Sequence, residues 1–214
     1  MNPIQTLAIS ALPVIFAITL HEAAHGYVAR HFGDLTAWQQ GRVSLNPLRH
    51  VDLVGTIIVP GLILLISAGS FLFGWAKPVP VDFARLRHPK SDMFWVAAAG
   101  PAANLFMALA WALLLRIVIA TPDFAFAQAM QEMARVGVGI NVTLMLLNLL
   151  PLPPLDGGRI AVSLLPPRAA WKFSRIEPYG MVILLALLFT GILERILGPL
   201  MGLTMLLIKI MFGI

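Results

Sequence analysis

The chain has 214 residues, of which 59% are hydrophobic and only 12% are charged, and its mean hydropathy is +0.86. Soluble domains carry about 25% charged residues, so this composition excludes an ordinary soluble globular protein. The formal charge of +5 does not indicate a nucleic-acid partner, because the basic residues lie in short loops between apolar runs. The sequence contains no cysteine, which excludes disulfides and thiolate metal sites. We therefore predict an all-α polytopic membrane protein with a single membrane-embedded domain over residues 1–214.

Apolar runs divide the chain, and several reach the roughly 20 residues that a bilayer-spanning helix needs. The first run has no Lys or Arg before it and ends in charged residues, so we expect it to be retained and not removed as a signal peptide. Together the runs predict about five to six transmembrane helices. The uncharged runs are Met1–Leu20, Leu53–Ala76, Met93–Leu115, Val136–Leu155, Pro178–Leu193 and Ile196–Ile208.

A metal-binding pattern follows directly after the first run. His21, Glu22 and His25 form H-E-x-x-H, and on an α-helix the two histidines project from one face, one turn apart. That spacing suits one zinc ion, with Glu22 beside it to take a proton from metal-bound water. The alternative is that these polar residues only mark a helix end at the membrane interface. Polar groups next to a membrane helix are costly unless they are paired or functional, which favours the metal site.

The second run, Leu53 to Ala76, lies between the two halves of the metal motif, where we predict a re-entrant or β-hairpin segment, and its composition suits a re-entrant hairpin. It holds Pro60-Gly61 midway and ends in Gly69, Gly74 and a proline-rich stretch. That stretch, Gly74 to Asp82, alternates apolar and other residues. We expect either an edge strand that pairs with an extended substrate segment or a plain loop.

The end of the fourth run contains the candidate third ligand. Residues Asn148 to Ile160 read NLLPLPPLDGGRI, and these prolines and glycines predict that the helix unwinds here. Irregular backbone at membrane depth is tolerated only where it is buried in protein or lines a water-filled cavity. Asp156 is therefore a candidate oxygen ligand, which would give two histidines, one carboxylate and an open position. A helix cap or turn is the alternative role for this aspartate.

In combination these motifs resemble the site-2 protease family of intramembrane zinc metalloproteases, in its small bacterial type without a PDZ domain. Three further stretches are similar to the family and extend the likeness over roughly residues 15 to 165, with no recognisable pattern after that. They are GRVSLNPLRHVDLVGT (Gly41–Thr56), FGWAKPVPVD (Phe73–Asp82) and AAAGPAANL (Ala97–Leu105).

The resemblance implies specific roles for the candidate residues. It implies one zinc ion per chain, ligated by His21, His25 and Asp156, with Glu22 as general base and acid. It also implies that Asn148 stands near the scissile carbonyl and that Asn104 faces the same cavity, although asparagines in membrane helices also serve as packing contacts between helices. Gly100 and Pro101 are read as close-packing and kinking residues.

The implied activity is hydrolysis of peptide bonds within or near transmembrane segments of protein or peptide substrates in the lipid bilayer. A membrane zinc-binding or zinc-transport protein is the first alternative, but it would not need Glu22 between the ligands. A catalytically inactive scaffold is the second alternative, and the intact motif argues against it. His31, His50 and His88 lack ligand spacing and are expected to be interfacial or structural. Neither the substrate's identity nor the oligomeric state has a signature in the sequence.

Shared metal binding constrains the topology. Ligands within about 2 Å of one ion cannot lie on opposite faces of a hydrocarbon core about 30 Å thick, so an even number of crossings should separate His25 from Asp156. A re-entrant second run meets this condition. It also places eleven of the fifteen basic residues on one side, which predicts an active site near the cytoplasmic face of the plasma (bacterial inner) membrane. We expect residues 177–214 to form a helical hairpin that returns the C-terminus to the cytoplasm, beside a core of about residues 1–165.

Overall fold

The computed structural model describes residues 3–66, 74–123 and 125–214. Short 3-10 turns at Pro47–His50 and Phe83–Arg85 and a π-helical turn at Leu53–Ile58 connect the helices. Within these described ranges there is no strand, so the all-α class is confirmed and the expected β-hairpin is not found there. The helices are α1 (Pro3–His31), α2 (Thr36–Gln39), α3 (Val59–Ile66), α4 (Pro89–Ala120), α5 (Ala127–Asn148), α6 (Asp156–Leu164), α7 (Pro167–Ser174), α8 (Glu177–Phe189) and α9 (Ile192–Phe212).

Three helices in the described part of the chain are long and apolar enough to cross a membrane. They comprise Ala8–His31 of α1, Pro89–Ala120 of α4 and Ile192–Phe212 of α9. Helix α5 has 22 residues, but polar side chains in its first half lower its hydropathy, and α8 has only 13 residues. Length and composition alone therefore give fewer spans than the five to six expected from the apolar runs.

The core is a bundle in which α1, α4 and α5 pack together. Ala108 and Ala112 on α4 meet Val138 and Val142 on α5, and all four side chains are buried. Asn104, early in α4, contacts Asn141, whereas Trp111, later in α4, lies against the earlier α5 residue Gly137, so the two helices run antiparallel. Small side chains at this contact allow the close approach that is usual between membrane helices.

One end of the bundle collects the C-terminal end of α1, the start of α4 and the C-terminal end of α5, and we call it the proximal end. The Arg87 N–H, just before α4, donates to the Phe32 carbonyl, just after α1, at 3.0 Å. His21 lies ten residues before the end of α1, which at a rise of 1.5 Å per residue is roughly 15 Å along the helix. The candidate metal motif is thus below the proximal surface.

The two ends of the second apolar run lie next to each other. The Trp75 N–H donates to the Gly55 carbonyl at 3.0 Å, and the Lys77 N–H donates to the His50 carbonyl at 2.9 Å. Between them the π-helical turn and α3 carry the chain to Ile66, and residues 67–73, including Gly69, lie outside the described residues. The described helical part of the run, residues 53–66, is shorter than the roughly 20 residues of a full crossing.

The C-terminal region differs from the expected helical hairpin, whose two apolar runs are separated by Glu194-Arg195 in the sequence. The break falls at Gly191, with φ of +71°, and α9 runs without interruption through Glu194-Arg195. Helix α8, at 13 residues, is roughly 20 Å long and too short to match the crossing by α9. Arg116 lies near the C-terminal end of α4, which is the end away from the proximal end. Its guanidinium donates to the Gly213 carbonyl at 3.3 Å. Helix α9 therefore ends at the opposite end of the bundle from the metal motif, which does not fit the expectation that the C-terminus returns to the cytoplasm on the same side as the active site.

Candidate metal centre

Three predicted ligands converge where α1 faces the start of α6. His21 Nε2 and His25 Nε2 are 3.1 Å apart, His21 Nε2 is 3.2 Å from Asp156 Oδ2, and His25 Nε2 is 3.4 Å from Asp156 Oδ1. All three residues belong to the one group of three or more potential metal ligands found among the described residues. Side chains separated by 135 positions in the sequence (156 − 21) therefore form a single cluster.

These separations fit a tetrahedral ion. With zinc bonds of about 2.0 to 2.1 Å, ligand atoms around a tetrahedral centre are about 3.3 to 3.4 Å apart. The three observed distances, 3.1 to 3.4 Å, are close to that spacing, although each histidine faces a different oxygen of Asp156. Two imidazole nitrogens and one carboxylate also form the ligand set of a catalytic zinc site with one open position.

Hydrogen bonds on the far side of each ring direct the Nε2 lone pairs inward. His25 Nδ1 lies 2.7 Å from the Val96 carbonyl, which can only accept, so His25 Nδ1 must carry the proton. His21 Nδ1 lies 2.6 Å from Asn104 Oδ1 and donates to it in the same way. In the neutral rings both Nε2 atoms therefore present lone pairs to each other and to a carboxylate. Without a cation between them, these lone pairs and the carboxylate repel one another. Metal-binding histidines usually have this arrangement, in which one ring nitrogen donates to the protein and the other faces the metal.

Asp156 is the first residue of α6, where Leu155 is the N-cap, and the side-chain contacts of Asp156 within the described residues go to His21 and His25 and not to the helix backbone. The helix-cap alternative for this residue therefore lacks its defining contact. Asp156 Oδ2 is buried without a hydrogen-bond partner among the described residues. A buried carboxylate oxygen without a hydrogen-bond partner is suited to a metal.

Gly100 on α4 completes the wall of the site. A Cβ atom at this position would lie 2.5 Å from His25 Nε2 and 2.6 Å from His21 Nε2. Only glycine therefore leaves room for the two rings and for an ion between them. The close-packing role predicted for Gly100 is explained by the two histidine rings that lie against it.

Glu22, the middle residue of the motif, is held by the extended segment Gly74–Asp82. Its Oε2 accepts a hydrogen bond from the Val79 N–H at 2.7 Å. The Val79 side chain is buried, so the segment is anchored at this point. One carboxylate oxygen of Glu22 is thus fixed by the protein, and no described residue donates a hydrogen bond to the other.

The contacts of this segment favour the loop interpretation over the edge strand. The N–H groups of Trp75, Lys77 and Val79 alternate along one edge and already donate to Gly55, His50 and Glu22. On the other edge, Pro78 and Pro80 have no N–H to offer. An edge with so few donors is poorly suited to pair with an added strand.

The two predicted asparagines occupy different environments. Asn104 is fully buried against His21, so it faces the metal ligands from behind and does not line an open cavity. Asn148, at the end of α5, is partly buried and donates from Nδ2 to the Leu144 carbonyl at 3.0 Å. A third asparagine, Asn141, was not singled out from the sequence, yet it is fully buried and accepts from Asn104 Nδ2 at 2.9 Å. The sequence feature that could have identified Asn141 is a polar residue inside the apolar run Val136–Leu155.

The remaining histidines lie apart from the site, as expected. The His50 ring is buried and its Nε2 is 2.8 Å from the Ser44 carbonyl, and the His31 ring packs edge-on against Phe32. His88 caps the start of α4 through its backbone, where its N–H donates to Asp92. None of the three belongs to the ligand group found in the described part of the chain.

Comparison with known proteins identifies the family. The profile of peptidase family M50 matches residues 115–191. YwhC of Bacillus subtilis (strain 168), which is named as a candidate zinc metalloprotease, is 38% identical over 203 residues, covering 94% of this chain and 89% of YwhC. The chain belongs to peptidase family M50. This confirms the resemblance to the site-2 proteases and identifies the M50 chain as a membrane-associated metalloprotease.

Further relatives of this M50 peptidase carry the same type of name. Rip2 of Mycolicibacterium smegmatis is 32% identical over 182 residues, covering 85% of this chain and 66% of Rip2. Rip2 of Mycobacterium tuberculosis (strain H37Rv) is 27% identical over 177 residues, covering 81% of this chain and 63% of Rip2. The profile and the YwhC alignment both extend past residue 165, so the expected end of the family likeness was too early. No solved structure matches the chain.

Proposed function

We propose that this M50 peptidase holds one zinc ion with His21, His25 and Asp156 and hydrolyses peptide bonds within or near transmembrane segments of membrane proteins. The observation that carries the proposal is the convergence of the three side chains, with 3.1 to 3.4 Å between ligand atoms, below the proximal end of a membrane helix bundle. A hydrolase whose metal site lies below the membrane surface meets substrates that are themselves in the bilayer, which are the transmembrane segments of other proteins.

The chemistry divides between the ion and Glu22. When bound, zinc supplies Lewis-acid chemistry, polarising a carbonyl and lowering the pKa of a water in the open position. The Glu22 carboxylate, with Oε2 fixed by the Val79 N–H, offers its second oxygen to take the proton from the attacking water and pass it to the leaving amine. Asn148 uses one N–H for the Leu144 carbonyl, which leaves its second N–H for a substrate carbonyl.

A re-entrant second run and a cytoplasmic active site are part of the proposal. The hydrogen bonds Trp75 to Gly55 and Lys77 to His50 support a segment that enters and leaves at the proximal end. Two antiparallel helices, α4 and α5, then separate the histidines from Asp156, which satisfies the even count of crossings. The basic residues predicted to share that side are Arg30, Arg42, Arg49, Lys77, Arg85, Arg87, Lys90, Arg159, Arg168, Lys172 and Arg175.

Cysteine labelling tests this topology without background, because the chain has no cysteine of its own. In intact bacterial cells that express Arg49→Cys or Arg85→Cys, both positions should resist an impermeant maleimide. Both should react once the membrane is opened. Labelling of the two positions from opposite sides would reject the re-entrant arrangement.

Zinc transport is the rival function, and liposomes that contain the purified protein separate the two. The proposal predicts chelator-sensitive cleavage of a reporter transmembrane helix, faster when helix-breaking residues lie near the cleaved bond, and no zinc flux. Zinc flux without cleavage of any reporter would support the transporter instead. Glu22, which is not among the converging ligands, has no evident task in a transporter.

A further inference from the structure

A continuous line of hydrogen bonds runs from the backbone of α5 to the back of the His21 ring. Asn141 Nδ2 donates to the Gly137 carbonyl at 2.8 Å, Asn104 Nδ2 donates to Asn141 Oδ1 at 2.9 Å, and His21 Nδ1 contacts Asn104 Oδ1 at 2.6 Å. Asn141 and Asn104 are both fully buried. The line therefore lies inside the bundle, away from water.

The direction of this line follows from chemistry alone. The Gly137 carbonyl can only accept, so the Asn141 atom facing it must be the amide nitrogen, which turns the Asn141 oxygen toward Asn104. Asn104 must then present its nitrogen to Asn141, and the Ala17 carbonyl at 3.3 Å from the same nitrogen requires the same orientation. The Asn104 oxygen is left facing His21, so the proton must sit on His21 Nδ1.

The packing of α4 on α5 makes the line possible. A Cβ atom at Gly137 would lie 2.4 Å from the Trp111 ring, so glycine allows the two helices to approach closely at this level. The approach brings Asn141 within hydrogen-bond distance of Asn104, one helix away. Polar contacts between membrane helices often serve packing alone. Here the hydrogen-bond partners fix the orientation of each amide, and the line of hydrogen bonds ends on the ring of a predicted metal ligand.

We propose that Asn141 is a positioning residue which, through Asn104, keeps the proton of His21 on Nδ1 and directs the Nε2 lone pair to the metal. The inference rests on the proposed metal site and adds to it a residue that touches neither metal nor substrate. Groups that orient a metal-binding histidine typically change metal affinity about 10- to 100-fold when they are removed.

The test measures the metal affinity of purified protein in detergent by competition with a chelator, together with the visible spectrum of the Co²⁺-loaded protein. Asn141→Leu should weaken Zn²⁺ binding by about 10- to 100-fold and alter the Co²⁺ bands. Thr143→Val is the matched control. It removes a side-chain bond of the same kind on α5, from Thr143 Oγ1 to the Gly139 carbonyl at 2.9 Å, without touching the line. The control should bind both metals as the wild type does.

A double-mutant cycle separates positioning from packing. If Asn141 acts through Asn104, then adding Asn141→Leu to Asn104→Leu should cost little further affinity, whereas independent packing effects would multiply. Asn141→Ser provides a second variant if the leucine variant does not fold. Its hydroxyl can still bond the Gly137 carbonyl but is too short to reach Asn104, so the same loss is expected.

The outcomes distinguish this inference from the proposed function. Wild-type affinity and spectrum in a folded Asn141 variant, while His21→Ala loses the metal, would overturn the role of Asn141 alone. Failure of the wild type to bind Zn²⁺ or Co²⁺ would overturn the metal site and this inference with it. Weaker binding in the Asn141 variants, with a non-additive cycle, supports the inference.

Discussion

Glu22→Gln is expected to reduce cleavage of a reporter helix by about 10²- to 10⁴-fold, the usual contribution of a general base, while zinc stays bound. Glutamine has nearly the same shape, and its amide oxygen can still accept from the Val79 N–H that holds Glu22 at 2.7 Å. It cannot take a proton from water. Because Glu22 is not one of the three converging ligands, metal content should not fall.

Glu132→Gln is the matched control, since Glu132 is a partly exposed α5 residue paired with Arg135 on the same helix. Cleavage rate and zinc content are measured on the same preparations of all three proteins. The control should cleave as the wild type does. Near-normal cleavage by Glu22→Gln would remove the glutamate from the mechanism, and loss of zinc from that variant would make it a ligand.

Gly100→Ala is expected to abolish metal binding and cleavage together. The added methyl would lie 2.5 Å from His25 Nε2 and 2.6 Å from His21 Nε2, inside the space where the ligands meet. The rings cannot withdraw freely, because the Val96 carbonyl and Asn104 hold their Nδ1 atoms. The same change would otherwise favour the helix, since alanine is preferred to glycine by about 1 kcal/mol in a helix interior.

The control for this variant is Gly139→Ala on α5, where a Cβ would meet no described atom within 4 Å. Both variants gain the same helix preference, so the difference between them isolates the crowding of the site. Zinc affinity is measured by chelator competition and thermal unfolding by circular dichroism. Gly100→Ala with wild-type zinc affinity would show that the ligands do not meet beside this residue.

The metal motif was readable from sequence because its geometry is local. A spacing of four residues on one helix places His21 and His25 on the same face whatever surrounds them. Asp156 could also be predicted, because an aspartate among prolines and glycines at membrane depth requires a special environment. That the three residues meet, with Asp156 Oδ2 otherwise unpartnered, depends on the fold and required the structure.

The C-terminal topology and the Asn141 contact could not be predicted in this way. Glu194-Arg195 looked like a boundary between two helices, but charged side chains near a helix end can reach the interface, and the helix continues through them. The true break is Gly191, whose positive φ leaves no mark distinguishable from other glycines. Asn141 meets Asn104, 37 positions earlier in the sequence, only when α4 and α5 pack together.

Zinc counting on purified protein tests the central claim most directly. Metal analysis of the wild type, His21→Ala and Asp156→Ala, each verified as folded, should give one zinc ion per chain for the wild type and little or none for either variant. The account is contradicted if Asp156→Ala retains the zinc of the wild type with unchanged affinity, because the aspartate would then not share an ion with the histidine pair.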